Sequence, residues 1–267
     1  MTGAGLAAID VHVHAEAKPI LDDALDDDRL VDAIADHYRT RRMRCVLFVV
    51  GPTRHPLHRQ ASNEAVLNGA KRHPDVITPL VGIDPHGGPA EQARLEAWYE
   101  QGAAGVKLHP ILQEFRPDDE AHSWIWDTTQ RRGGVALLHT GQTSPKFTRS
   151  RLRFGDPLPI DDVAAEYPDL KIVMAHPSFP WQDIALSIAV GKPNVYIDLS
   201  GWSPKYFPEQ LIRYAGSLLQ DKVLFGSDFP HISPDRWITD FQQAPFKDEA
   251  REKILVGNAA RLFGLAE

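Results

Sequence analysis

The stretch Ile9-Asp10-Val11-His12-Val13-His14 is a short apolar segment that ends in two histidines one residue apart. In an extended strand, residues i and i+2 point to the same face. We therefore expect Asp10, His12 and His14 to project together. Two adjacent imidazoles can form half of a metal site. Taken alone, the pair is more typical of a surface strand with titrating side chains, so the other strands have to decide between these interpretations.

Beyond this first strand, apolar strands alternate with helical patterns along the whole chain. Met43 to Val50 is a continuous apolar run that stops at Gly51-Pro52, as in strands buried on both faces of a parallel sheet. The pattern repeats to give eight strands, the later ones predicted at residues 78–84, 104–109, 135–139, 171–176, 194–199 and 222–226. A loop rich in proline and aromatic residues then precedes a last helix over 247–263.

Eight strand–helix units in 267 residues predict an α/β protein with a single (β/α)8 TIM barrel, so that residues 1–267 form one domain. The alternative is a doubly wound open sheet. That fold would call for a glycine-rich phosphate turn after the first strand. Here the first strand ends in two histidines, and neither GxGxxG nor GxxxxGK[ST] occurs in the chain. The closed barrel is therefore favoured.

Composition and charge exclude several classes of protein. The net charge of −7 argues against a nucleic-acid-binding protein. A single cysteine, Cys45, excludes an internal disulfide and suits a reducing compartment. Residues 1–8 lack the features of a signal peptide, and no apolar run approaches the roughly 20 residues that span a bilayer. We expect a cytoplasmic enzyme with a small-molecule substrate; a homo-oligomer stays open, because no stretch identifies an interface.

Polar side chains stand where the predicted strands end. In a TIM barrel these ends meet at one mouth, which carries the active site. Polar groups at the ends of buried strands are costly unless they are paired. Neutral imidazoles together with a carboxylate form a typical ligand set for zinc or a similar divalent ion. The residues at the strand ends are His12, His14, Lys107, His109, His139, His176 and Asp228.

Five segments in this order resemble the amidohydrolase superfamily: Asp-Val-His-Val-His, Gly-Val-Lys-Leu-His-Pro, Leu-Leu-His-Thr-Gly, Met-Ala-His-Pro-Ser and Phe-Gly-Ser-Asp-Phe-Pro. More narrowly, the chain is similar to the amidohydrolase-related (amidohydrolase 2) group, which includes aminocarboxymuconate-semialdehyde decarboxylase and resorcylate decarboxylases. The resemblance implies that His12, His14, His139 and Asp228 bind a divalent metal, most simply Zn²⁺. It also implies catalytic roles for Asp228, which handles a proton of water, and for His176 as the acid/base.

Lys107 departs from the decarboxylase branch, whose fourth strand carries no lysine at this position. In two-metal members of the superfamily, a lysine there can be carboxylated and bridge the ions. The resemblance therefore implies one ion, or two if Lys107 is carboxylated. Lys107 and His109 are otherwise candidates for binding an anionic group of the substrate, and the structural alternative is an ion pair between Lys107 and Asp84 or a neighbouring carboxylate.

We therefore expect a metal-dependent hydrolase in which a metal-activated water attacks a lactone, amide or ester that carries a carboxylate. The alternative is a carboxy-lyase that removes CO2 from an aromatic or unsaturated acid without oxidation. A barrel that binds metal without catalysis is a third interpretation. Trp202 and Tyr206 are candidates for an aromatic wall, and the long basic loop over 140–159 is a candidate lid.

Overall fold

The computed structural model describes residues 5–17 and 25–266. Eight strands form one sheet in sequence order, and every neighbouring pair is parallel. This confirms the predicted TIM barrel. The strands are β1 Ala8–His14, β2 Met43–Phe48, β3 Ile77–Gly82, β4 Gly105–Leu108, β5 Val135–His139, β6 Lys171–Ala175, β7 Val195–Asp198 and β8 Val223–Leu224.

The barrel closes between the last strand and the first. The backbone N–H of Val11 donates to the carbonyl of Phe225 at 3.0 Å, and that of His14 donates to Phe229 at 2.8 Å. The N–H of Asp228 donates to the carbonyl of His12 at 3.1 Å. These bonds lie at the C-terminal ends of the strands, so closure of the barrel also brings Asp228 beside the two histidines of β1.

The helices surround the barrel, and two of them, α4 and α9, differ from the sequence prediction. Their bounds are α1 Asp27–Arg39, α2 Asn63–Arg72, α3 Gly88–Glu100, α4 Pro110–Gln113, α5 Ser123–Arg131, α6 Leu158–Glu166, α7 Gln182–Gly191, α8 Glu209–Ala215, α9 Pro234–Gln243, α10 Asp248–Glu252 and α11 Asn258–Phe263. The short α4 was not expected. The segment before the last helix, predicted to be a loop, contains α9, so that prediction was wrong.

A local irregularity in β1 corrects the expectation that Asp10 shares a face with His12 and His14. The pairing of β1 with β2 shifts register between Asp10 and Val13. Ile9 and Val11 pack into the apolar cluster inside the barrel, so Asp10 faces the surrounding helices, where it accepts a hydrogen bond from Tyr38 of α1 at 2.7 Å. The bulge resets the alternation and turns both histidines inward.

The buried carboxylate of Asp10 stabilises this bulge through four hydrogen bonds. Besides Tyr38, it accepts hydrogen bonds from the N–H of His12 at 3.1 Å, from the N–H of Ser227 at 2.9 Å and from the Ser227 hydroxyl at 2.5 Å. Ser227 directly precedes Asp228. The network therefore connects the C-terminal end of β1 to the segment that carries Asp228.

Apolar residues form two clusters, one inside the barrel and one between the barrel and its helices. Cys45 is buried and unpaired, and burial raises the pKa of its thiol well above the usual value. Within residues 5–17 and 25–266, every helix is too short or too polar to cross a lipid bilayer.

Candidate active site

A cavity of about 450 Å³ opens at the C-terminal ends of the strands. All the predicted strand-end residues line it, together with Trp202. These residues are His12, His14, Lys107, His109, His139, His176, Trp202 and Asp228. Residues more than 200 positions apart are thus neighbours, as expected where parallel strands end together.

His12 lies at the centre of the cluster and is completely buried. Its Nδ1 atom lies 2.8 Å from Oδ2 of Asp198, the buried carboxylate at the end of β7. Because a carboxylate oxygen accepts, Nδ1 carries the hydrogen in the neutral ring and Nε2 presents a lone pair. Nε2 of His12 lies 3.3 Å from Oδ1 of Asp228, which also lies 3.1 Å from Nε2 of His14.

The histidines of β1 are neutral at physiological pH. Burial is the main cause that lowers the pKa of His14, to about 4, although Asp228 opposes the shift. Burial and the Lys107 ammonium lower the pKa of His12 well below its usual value. Burial raises the pKa of Asp228, but the contact with His14 and the neighbouring histidines outweigh it and hold the pKa well below the usual range. Asp228 is therefore a carboxylate.

These groups fit a divalent cation. One donor atom each from His12, His176 and Asp228 lie within 4.8 Å of one another. His12 Nε2 and Asp228 Oδ1 are both acceptors at 3.3 Å, so they repel one another unless a cation lies between them. Among the described residues, the buried Nε2 of His139 has no hydrogen-bond partner, which also suits a ligand atom. Nitrogen and carboxylate donors of this kind suit a divalent transition-metal ion.

His176 is held by a chain of polar contacts that extends across the barrel. Its Nε2 lies 3.0 Å from Nδ1 of His139, and its Nδ1 lies 2.9 Å from the hydroxyl of Ser200. The same hydroxyl lies 3.0 Å from Nδ1 of His12. A Cβ atom at Gly201 would lie 2.6 Å from Nδ1 of His176, so only glycine leaves room for this ring. His176 can therefore serve as a ligand or as an acid/base.

Lys107 extends into the cluster from β4. Its Nζ lies 3.3 Å from Nε2 of His12 and 4.8 Å from the centre of the Phe48 ring. The expected alternative of an ion pair with Asp84 is wrong, because the ammonium faces the site. Burial lowers the pKa of Lys107 to about 8, while Asp198 and Asp228 oppose the shift. A lysine of this kind can bind an anion, and its deprotonated form can react with CO2.

His109 is held in place by the segment that follows β4. Its ring stacks on that of His139, with centroids 3.8 Å apart and 13° between the planes. Its Nδ1 lies 3.4 Å from the backbone N–H of Leu112, and its own N–H donates to Gln113 at 2.8 Å. The side chain of Gln113 in turn donates to the carbonyl of Ile83 at 2.7 Å. The short helix α4 therefore positions His109 at the cavity wall.

The sequence reasoning missed two residues at the cavity mouth, Glu16 and His231. Glu16 is buried, and burial raises the pKa of its carboxyl to about 7. The continued i, i+2 spacing after His14 was the available signal. Tyr206, expected beside Trp202 in an aromatic wall, is exposed and lies outside the cavity. Of the predicted lid, residues 142–147 line the cavity.

Solved structures with the same fold include proteins of several activities. An uncharacterized TIM-barrel protein of Bordetella bronchiseptica superimposes with a TM-score of 0.78 at 22% identity, over 96% of this chain and 98% of that chain. A 2,6-dihydroxybenzoate decarboxylase from Rhizobium gives 0.71 at 16% identity, over 97% and 99%. A probable 2-pyrone-4,6-dicarboxylic acid hydrolase of Acinetobacter baumannii, with citric acid bound, gives 0.68 at 19% identity, over 97% and 100%. At these identities the likeness concerns the fold.

Sequence comparison defines the family. A curated relative, the protein fluG of Emericella nidulans, is 29% identical over 123 residues, which are 45% of this chain. The match spans only 13% of that protein's length. The model of the amidohydrolase family (Amidohydro_2) matches residues 9–265, which include every site residue described above and all eight strands except the first residue of β1. The chain therefore belongs to the amidohydrolase family, as its sequence segments indicated.

Proposed function

We propose that the protein is a metal-dependent hydrolase that acts on a lactone, amide or ester carrying a carboxylate. One observation carries this proposal. An ionised Asp228 lies 3.3 Å from the unprotonated Nε2 of the buried His12. This arrangement provides both a place for a cation and a carboxylate that can accept a proton.

The proposed metal ligands are His12, His14, His139 and Asp228, and the proposed metal is zinc. His176 lies close enough to replace one of the histidines. When bound, the ion would lower the pKa of a water molecule towards neutrality and polarise the substrate carbonyl. Asp198 supports this assignment, because its contact with Nδ1 of His12 leaves Nε2 unprotonated.

The remaining steps belong to side chains of the chain itself. Asp228 is placed to take the proton of the attacking water at Oδ1, because its pKa keeps it ionised. Lys107 and His176 both line the cavity beside His12 and would stabilise the negative charge that develops on the carbonyl oxygen. Ser200, at 2.9 Å from Nδ1 of His176, holds that ring in orientation.

The carboxylate of the substrate is proposed to bind Lys107 and His109. Both are buried at the cavity wall, where an anion would gain from low dielectric. Trp202 and Leu112 supply apolar surface to the same cavity. A volume of about 450 Å³ suits a small molecule of this kind.

The alternative is decarboxylation of an aromatic or unsaturated acid at the same metal. The apolar lining of the cavity favours it, since Leu57, Leu112 and Phe147 could hold a planar ring. In that reaction a side chain must protonate carbon after CO2 departs. His176 is the candidate, because the ionised Asp228 has no proton to give.

A paired substrate screen would separate the two reactions. Purified protein loaded with zinc is incubated with a set of aryl and alkyl lactones and with a set of hydroxybenzoic acids. Release of acid without CO2 is the expected result, whereas CO2 release without hydrolysis would establish the alternative. Asp228→Ala should abolish turnover, and Asp240→Ala, outside the cavity, should retain it. A metal-free protein whose activity survives Asp228→Ala would refute the whole assignment.

The number of metal ions per chain tests whether Lys107 is carboxylated. About one ion per chain and an unmodified mass indicate a mononuclear site with a free lysine. About two ions, with the added mass of CO2 on Lys107, indicate a carboxylated bridge. We also propose a cytoplasmic location, which the free and buried Cys45 supports.

A further inference from the structure

Glu16 is the acidic side chain of the cavity that the proposed reaction does not use. It follows β1 by two residues, and its backbone pairs with Gln60 through an isolated bridge. Its side chain is 7% exposed and lines the cavity together with His14 and His231. It therefore lies at the wall that a substrate would contact.

Its carboxyl group lacks the partners that a structural carboxylate would have. In the described part of the chain, the buried Oε1 atom has no hydrogen-bond partner. Among the residues that the structure describes, the ion-pair contact of Oε2 is a distant one, with Nε2 of His231 at 3.7 Å. Asp10, buried six residues earlier, instead accepts four hydrogen bonds. An unsatisfied buried acceptor is costly for the fold, so a structural role does not account for Glu16.

The charges around Glu16 indicate what the missing partner is. Lys146 attracts the carboxylate and Asp228 repels it. A second anionic group of the substrate would therefore be repelled from this wall and drawn towards Lys107 and His109. A group that donates a hydrogen bond would complete the coordination of Oε1. The cavity thus has one side, at Lys107 and His109, that attracts anionic groups and another, at Glu16, that accepts hydrogen bonds.

We propose that Glu16 is a specificity-determining residue that accepts a hydrogen bond from a hydroxyl or amino group of the substrate. The substrate is then a small carboxylic acid that also carries a donor group at a distance from the carboxylate. This inference rests on the proposed function, since it assumes that the same cavity binds the substrate. It adds the second recognition element and the chemical class that fits it.

Binding of matched acids tests the inference without any turnover. Isothermal titration calorimetry at pH 8 would compare glutarate with 2-hydroxyglutarate, 3-hydroxyglutarate, glutamate and 3-aminoglutarate, on the protein with its native metal content. At least one substituted acid should bind about tenfold more tightly than glutarate, because a hydrogen bond to a charged group is among the stronger ones. The hydroxy and amino arms distinguish the two kinds of donor.

Variants of Glu16 test whether this side chain causes the gain in binding affinity. Glu16→Met removes both oxygens at similar length, and Glu16→Gln keeps the shape if the first variant does not fold. Glu16→Met should lose the preference for the substituted acid, and Glu16→Gln, which keeps an uncharged acceptor oxygen, should reduce it. Neither variant should weaken glutarate binding, because each removes a negative charge from the cavity. Glu114→Gln is the matched control, because Glu114 contacts Arg151 and lies outside the central cavity. It should keep the preference.

Two results would overturn the inference: no substituted acid binds better than glutarate, or the preference persists in the Glu16 variant that folds. The same experiments distinguish failure of this inference from failure of the proposed function. Selective binding without any hydrolysis product would leave Glu16 as a recognition residue while the reaction assignment fails. Hydrolysis with unchanged selectivity in Glu16→Gln and Glu16→Met would support the reaction assignment and reject the recognition role of Glu16.

Discussion

Asp198→Asn is expected to weaken metal binding although Asp198 lies outside the cavity. The carboxylate oxygen Oδ2 accepts from Nδ1 of His12 at 2.8 Å, and Oδ1 accepts from the N–H of Ser200 at 2.8 Å. An asparagine of the same shape can keep the second contact through its oxygen. Its NH2 group then faces Nδ1 of His12, which must accept instead of donate.

The consequence is a reversed tautomer. With Nδ1 unprotonated, the hydrogen of the neutral ring moves to Nε2, the atom that faces Asp228 at 3.3 Å. Losing the partner of a metal-binding histidine typically costs 10- to 100-fold in metal affinity, or about 1.4–2.7 kcal/mol. We expect Asp198→Asn to lie in this range, because the substitution changes a single hydrogen bond at His12.

Two measurements would check this prediction. Competition with a chromophoric chelator gives the zinc affinity, and nitrogen-15 chemical shifts of the metal-free protein give the tautomer of His12. Asp240→Asn is the matched control, since its carboxylate accepts from Ser203 at 2.5 Å away from the cavity. A zinc affinity within twofold of wild type, or an unchanged His12 tautomer, would refute the reasoning.

Three further predictions concern stability and geometry. Tyr38→Phe should lower the free energy of unfolding in urea by about 1–3 kcal/mol, because it removes a donor from the buried Asp10; no change would mean that the network is dispensable. Stability should fall as pH drops from about 6.5 to about 4, because the unfolded chain binds protons that buried histidines such as His14, with a pKa lowered to about 4, do not. A flat urea midpoint across this range would contradict it. Gly201→Ala should reduce kcat at least tenfold by displacing the His176 ring, at a site where φ is +74°; a crystal structure with an unmoved ring would contradict it.

The fold was predictable because each strand and helix carries its own signal. Continuous apolar runs ended by Gly or Pro marked the buried strands, and their alternation with helices indicated the barrel. Helix α9 was missed because Ser233-Pro234 resembles a turn. In the structure, Ser233 accepts from the N–H of Arg236 at 3.3 Å as an N-cap, and proline occupies the first helical turn, where it needs no N–H partner. Trp237 and Phe241, four residues apart, then pack into the core.

The site was predictable only where the side chains follow strand ends. His12 and His14 were placed correctly, but the alternation that led to them would have turned Asp10 inward as well. The bulge depends on Tyr38 and Ser227, which are distant in sequence and gave no signal. Glu16 was missed because the predicted strand ended at His14, so the i, i+2 spacing was not extended to the residue two positions beyond it.

Hydrolysis and decarboxylation place opposite demands on the protons of the site. Hydrolysis begins when a base removes a proton from water, whereas decarboxylation ends when an acid delivers one to carbon. Asp228 is held ionised and burial keeps His12 and His14 neutral, so none of these three groups is an acid that could protonate carbon. Burial lowers the pKa of Lys107 to about 8, so Lys107 still holds a proton near pH 7, but it lies against His12, where it would stabilise a charge on an oxygen. A decarboxylase built on these residues would therefore need His176 as its acid. The proposed hydrolase would instead use Asp228 in the ionised state in which the fold holds it.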